Sequence, residues 1–115
     1  METYTFLATR WDVGKALEMI EAGDILAEGP LDISGPVQLL GLHHVDKEYA
    51  EKLTEEDLER HVIIAKQKTT EGEPEDFLML IDGWHRVWKA HELGRETLPA
   101  YMLDGEKLIV MGLGR

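Results

Sequence analysis

The chain has 115 residues, 43% of them hydrophobic and 30% charged, enough for one globular domain with a modest core and too few for two. Twelve Lys and Arg against 23 Asp and Glu give a formal net charge of −11, which opposes the clustered phosphate neutralisation that duplex DNA demands, so no tight DNA partner is expected. With no cysteine there is no disulfide, thiolate metal site or cysteine nucleophile. No apolar run nears the ~20 residues of a membrane span, and the start, METYTFLATRWDVGK, has neither a basic n-region nor an apolar h-region. A cytoplasmic chain with no membrane partner is the expectation.

In chain order, YTFLATR (4–10) reads as a strand, after which Asp12 can cap a helix whose apolar positions Val13, Ala16, Leu17 and Ile20 follow helical spacing to an end near Gly23. AEGPLDISGP (27–36), rich in Gly and Pro, reads as a loop, and VQLLGL (37–42) as a strand. The acidic segment 46–60 reads as helical, with Thr54 as a cap and Leu53 and Leu58 as its apolar anchors. VIIAKQ (62–67) is β-branched and reads as a buried strand, TTEGEPED (69–76) as a solvated loop, and FLMLID (77–82) as a further strand. A helix over 84–94 is closed by Gly94. TLPAYML (97–103) is a strand again, and Asp104-Gly105 turns the chain into EKLIVMGL. Short alternating strands and helices predict an α/β (α+β) single mixed-sheet domain.

The acid is uneven. Residues 46–60 hold seven acids and three bases and residues 71–76 four acids, whereas 83–97 is net positive through Arg86, Lys89 and Arg95. A protein partner on the acidic 46–60 surface and a small anion near residue 86 are the corresponding readings. The seam LIDGWHR is the sharpest feature. The first amides of a helix have no intrahelical partner and sit at the positive end of its dipole, so a strand running straight into a helix makes an anion seat. Gly83 permits close backbone approach, Arg86 offers a fork suited to phosphate, and His85 can donate. His43 and His44, with Asp46 following, leave the expected strand end, where a general base or metal could sit; on a strand at most one of the two would face a site. Trp84, Val87, Trp88 and His91 share a helical face and form a candidate core stripe.

The stretch LIDGWHRVWKAHELGRETLPAYML resembles the signature of the ParB/sulfiredoxin superfamily, with Asp82, Gly83, His85, Arg86, Ala90, Leu93, Gly94, Thr97 and Pro99 in matching places. The close match covers 78–103, a looser one reaches back to Val37, and residues 1–35 match nothing in the pattern. The resemblance implies a small α/β domain over the whole chain, 1–115, and a nucleotide (ATP, ADP or CTP) held through its phosphates by Gly83, Trp84, His85 and Arg86. It implies phosphoryl transfer or nucleotide hydrolysis with Asp82 and His85 as catalytic candidates, and magnesium carried with the nucleotide at Asp82 or Asp46. Trp84 stands where sulfiredoxins carry their cysteine, and Gly-Trp-His-Arg replaces the Gly-Glu-Arg-Arg of chromosome-partition proteins, so neither of those activities is expected. A non-catalytic acidic interaction module that keeps the fold is the alternative, and a ParB-like nuclease the third. Trp84 is expected to line the site.

Overall fold

In the computed structural model the described residues are 2–6, 9–68 and 76–111. They form an α+β domain of two sheets and five α-helices. The chain opens with a hairpin of β1 (Thr3–Phe6) and β2 (Thr9–Asp12), paired antiparallel from Thr3↔Asp12 to Phe6↔Thr9. The single strand expected over 4–10 is therefore two strands that fold back on each other. Asp12 ends β2 and caps α1 (Val13–Glu21), its carboxylate accepting from the Lys15 amide. Val13 and Ala16 are buried as the spacing predicts, but Met19 takes the inward place and Leu17 faces out.

Residues 27–42 depart most from expectation. Ala27–Asp32 is strand β3, and the run 37–42 is helical: α2 (Ser34–Gln38), then a 3-10 turn over Leu40–Leu42. Two placements explain the disguise. Pro30 sits on β3, an edge strand of its sheet, a position that tolerates a missing N–H, and Pro36 lies in the first turn of a helix, where an amide hydrogen is dispensable. A six-residue apolar run carries no periodicity that separates a strand from a short helix.

The acidic segment folds as α3 (Lys47–Glu51) and α4 (Glu55–Leu58). Thr54 and Asp57 form a reciprocal capping box, and Leu53 and Leu58 are both buried, as expected. Strands β4 (Val62–Lys68) and β5 (Asp76–Asp82) pair antiparallel, α5 (Trp84–Glu92) follows, β6 (Thr97–Asp104) runs parallel to β4, and β7 (Ile109–Met111) joins the hairpin after a 3-10 turn. The TTEGEPED loop lies mostly outside the described residues. The result is a four-stranded mixed sheet in the order β3-β6-β4-β5 and a three-stranded antiparallel sheet in the order β1-β2-β7. One core joins them, with Trp11, Leu58, Ile63, Val87, Leu98, Leu103 and Leu108 all but inaccessible; each large aliphatic side chain so buried contributes roughly 1.5–3 kcal/mol. No helix among the described residues is long and apolar enough to cross a membrane.

Candidate functional site

The seam between β5 and α5 has the predicted form. Gly83 is the N-cap of α5 at φ 115°, ψ 15°, in the left-handed region. A Cβ added there would lie 2.4 Å from Val62 Cγ1, so glycine is required twice: for the backbone angle and for the contact that presses the helix start against β4. No side chain caps α5. Its other end closes in a Schellman motif, Gly94 N–H to His91 O and Arg95 N–H to Ala90 O.

The uncapped end opens into a cleft of about 260 Å3 whose polar lining includes Glu2, Thr3, His44, Asp82 and His85, with Gly83 and Trp84 between them. Four of the residues singled out by sequence, Asp82, Gly83, Trp84 and His85, are thus brought together. His85 Nε2 accepts from the Asp46 amide at 3.1 Å, which puts the hydrogen of the neutral ring on Nδ1. Tyr49 meets the same ring edge-on at 5.2 Å.

Arg86 is elsewhere. Its side chain is buried, with 8% of the residue exposed. Nη1 donates to the carbonyls of Arg60 and His61, both at 2.8 Å, and Nη2 to Asp82 Oδ2 at 3.0 Å. Burial pulls its pKa down, and the Asp82 charge opposes that pull. This guanidinium is a strut holding the start of β4 to α5; it is not part of the cleft lining, which corrects the expectation that it grips phosphate. The other two cations of the positive stretch are also engaged, Lys89 with the Glu51 carbonyl at 2.8 Å and Arg95 with Glu59 at 3.5 Å and Glu55 at 3.6 Å. The positive patch of the sequence is spent on internal partners.

Trp84 is buried at 7% exposure. Its indole N–H donates to the Leu80 carbonyl at 3.0 Å, and its ring stacks on His43 at 3.7 Å between centroids. It contributes to the cleft wall but belongs to the core, so an open stacking platform for a base is corrected to a packed wall. The buried face of α5 runs Trp84, Val87 and Ala90, with Arg86 beside it; Trp88 is half-buried and His91 exposed, so the expected stripe is displaced by one position at its C-terminal end.

His43 and His44 do part company, although on a turn and not a strand end. His44 is exposed and lines the cleft. His43 stacks between Phe6 and Trp84, donates from Nδ1 to the Leu39 carbonyl at 2.9 Å, and accepts at Nε2 from the Tyr4 hydroxyl. Burial pushes the Tyr4 pKa up to about 12, with the Trp84 side chain opposing. The N-terminal residues Glu2, Thr3 and Tyr4, which no motif flagged, reach the cleft with Tyr4 bonded to His43 and Met79; nothing local in the sequence announces that approach.

The donors a phosphate would meet at this end of α5 are the backbone amides of its first turn and the His85 Nδ1–H; Arg86, bonded to Arg60, His61 and Asp82, is not among them. Magnesium finds less: Asp82 already accepts from Arg86, and Asp46 caps α3 by accepting from the Tyr49 amide. Among the described residues no group of three or more His, Asp or Glu side chains is arranged to hold a metal ion. Comparison with protein-family models, curated proteins and solved structures finds no match to this chain.

Proposed function

We propose that this chain is a nucleotide-binding domain of the ParB/sulfiredoxin type that holds a phosphate group at the start of α5. The observation that carries the reading is the uncapped, glycine-initiated end of α5 opening into a cleft. The amides of Trp84, His85 and Arg86 supply aligned donors at the positive end of the helix dipole, and His85 adds a side-chain donor whose tautomer Asp46 fixes. Asp82 and His85, the candidates for chemistry, are each tied to a structural partner, so the reading is of binding first, with any phosphoryl transfer or hydrolysis depending on a second substrate placed opposite His44.

A second reading, a non-catalytic acidic interaction module, is favoured by a different observation. Arg86, Lys89 and Arg95 are all internally engaged, while the carboxylates of Glu2 and Asp82 line the cleft and repel an anion. On that reading the acidic 46–60 surface, with Tyr49 exposed on α3, docks a protein partner. A thermal-shift series with inorganic phosphate and nucleoside di- and triphosphates, with and without magnesium, separates the two. Phosphate binding at 100 times its Kd raises stability by about 2.7 kcal/mol; an unmoved transition across the whole series supports the interaction module.

A further inference from the structure

A second cleft, of about 420 Å3, lies between α2 and the four-stranded sheet. That volume is within the roughly 300–1,000 Å3 usual for small-molecule sites. Leu31, Leu39, Ile64, Leu80 and Trp84 supply its apolar walls, and its polar side chains are Asp32 and Gln38. No Lys, Arg or His is among the described lining residues. Asp32 stands exposed at the cleft's edge and the chain around it carries a net −11, so the site disfavours anions. It rewards a ligand that buries hydrocarbon and brings one positive charge.

We propose that this cleft binds a small apolar molecule bearing a single cationic group, an aryl- or alkylammonium. Its hydrocarbon body packs on Leu39, Ile64, Leu80 and Trp84, and its ammonium sits at Asp32. The carboxylate is oriented for this. Asp32 Oδ1 accepts from the Ser34 amide at 2.9 Å where β3 turns into α2, an interaction that lowers its pKa. Its position is set by the strand end on one side and the helix start on the other, while no described cation pairs with it. Trp84 separates this cleft from the one at the start of α5, so the two sites would take ligands of opposite charge, and neither reading depends on the other.

Three isosteric probes test the proposal by titration calorimetry or chemical-shift mapping: 2-phenylethylammonium, neutral 2-phenylethanol and anionic phenylacetate. The ammonium should bind about fivefold tighter than the alcohol, the scale of one exposed ion pair, with phenylacetate weakest. Asp32→Asn keeps the acceptor for the Ser34 amide and should equalise ammonium and alcohol while leaving the alcohol's affinity intact. Gly35 lines the cleft and a Cβ there meets nothing within 4 Å, so Gly35→Leu should fill the space and abolish binding of all three probes with the thermal transition preserved. No binding of any probe at millimolar concentration overturns the proposal, as does equal affinity for the three, or an ammonium that binds Asp32→Asn or Gly35→Leu as well as the original chain.

Discussion

Two strands in this molecule run directly into nine-residue helices, and the two junctions are built on opposite principles. At β2–α1 every early amide is answered from within: Val13 and Gly14 donate to the Glu2 carbonyl at 2.9 and 3.2 Å, and Lys15 donates to the Asp12 carboxylate at 2.9 Å. At β5–α5 the N-cap is Gly83, and no side chain caps the first turn. Both helices end alike, at Gly23 and Gly94 in the left-handed conformation, so the contrast is confined to their starts. A helix that brings its own anion is complete; a helix that begins on a bare glycine beside a cleft leaves donors for something else. The difference teaches that a strand–helix junction becomes a candidate site through what fails to cap it, more than through the charged residues nearby.

The predictions sharpen that contrast, beginning with the largest effect. Trp84→Ala removes a buried indole, its bond to Leu80 and its stack on His43, and should cost about 3–5 kcal/mol in denaturant unfolding, as large aromatic deletions do. A loss below 1 kcal/mol would make Trp84 a ligand platform after all. Gly83→Ala combines a left-handed backbone with a collision against Val62 and should cost roughly 2–4 kcal/mol. Gly94→Ala, with open space around its Cβ, should cost only about 1–2 kcal/mol. Equal losses at the two glycines would show that Val62 yields and that the α5 junction is no tighter than an ordinary helix end.

Arg86→Ala strands the Arg60 and His61 carbonyls and should lower stability by roughly 2–3 kcal/mol, with Arg86→Lys restoring part, since an ammonium cannot reproduce the fork. Phosphate affinity of whatever remains folded should change little. A large affinity loss with intact stability would return Arg86 to the site. Asp12→Ala, at the self-capped junction, should cost about 1 kcal/mol; the matching test at α5 has no side chain to remove.

The pH dependence supplies an effect confined to the alkaline range. The Tyr4 hydroxyl has its folded pKa pushed up to about 12 from 10.0, so the fold prefers the neutral phenol. That contribution is complete below pH 10 and is lost as pH rises through the window from 10 to 12. Tyr4→Phe should flatten that decline in an alkaline unfolding series; an unchanged decline would assign it to another group.

What the sequence made legible follows the same division. Asp12, Thr54, Gly83 and Gly94 were readable because capping is local chemistry, written within four residues. The burial of Leu58, Val62, Ile63 and Val87 was readable because periodicity and β-branching report it. The strand at 27–32 was hidden by Pro30, whose tolerance depends on its place at the edge of a sheet. The fate of Arg86 was hidden for the same reason: whether a guanidinium meets a phosphate or two backbone carbonyls depends on where residues 60 and 61 pass, and no motif near residue 86 encodes that. Cleft-lining Glu2 and Thr3 lie some 80 residues from Gly83 and meet it only through the tertiary fold.

The most direct test of the open-junction account is an amide-resolved NMR titration of the full chain with inorganic phosphate and then with a nucleoside triphosphate. The account predicts saturable shifts at the amides of Trp84, His85 and Arg86, accompanied by the His85 ring, and no response at Gly14 and Lys15, whose donors are already taken and which do not line the cleft. Silence at residues 84–86, or equal shifts at the two helix starts, would contradict it.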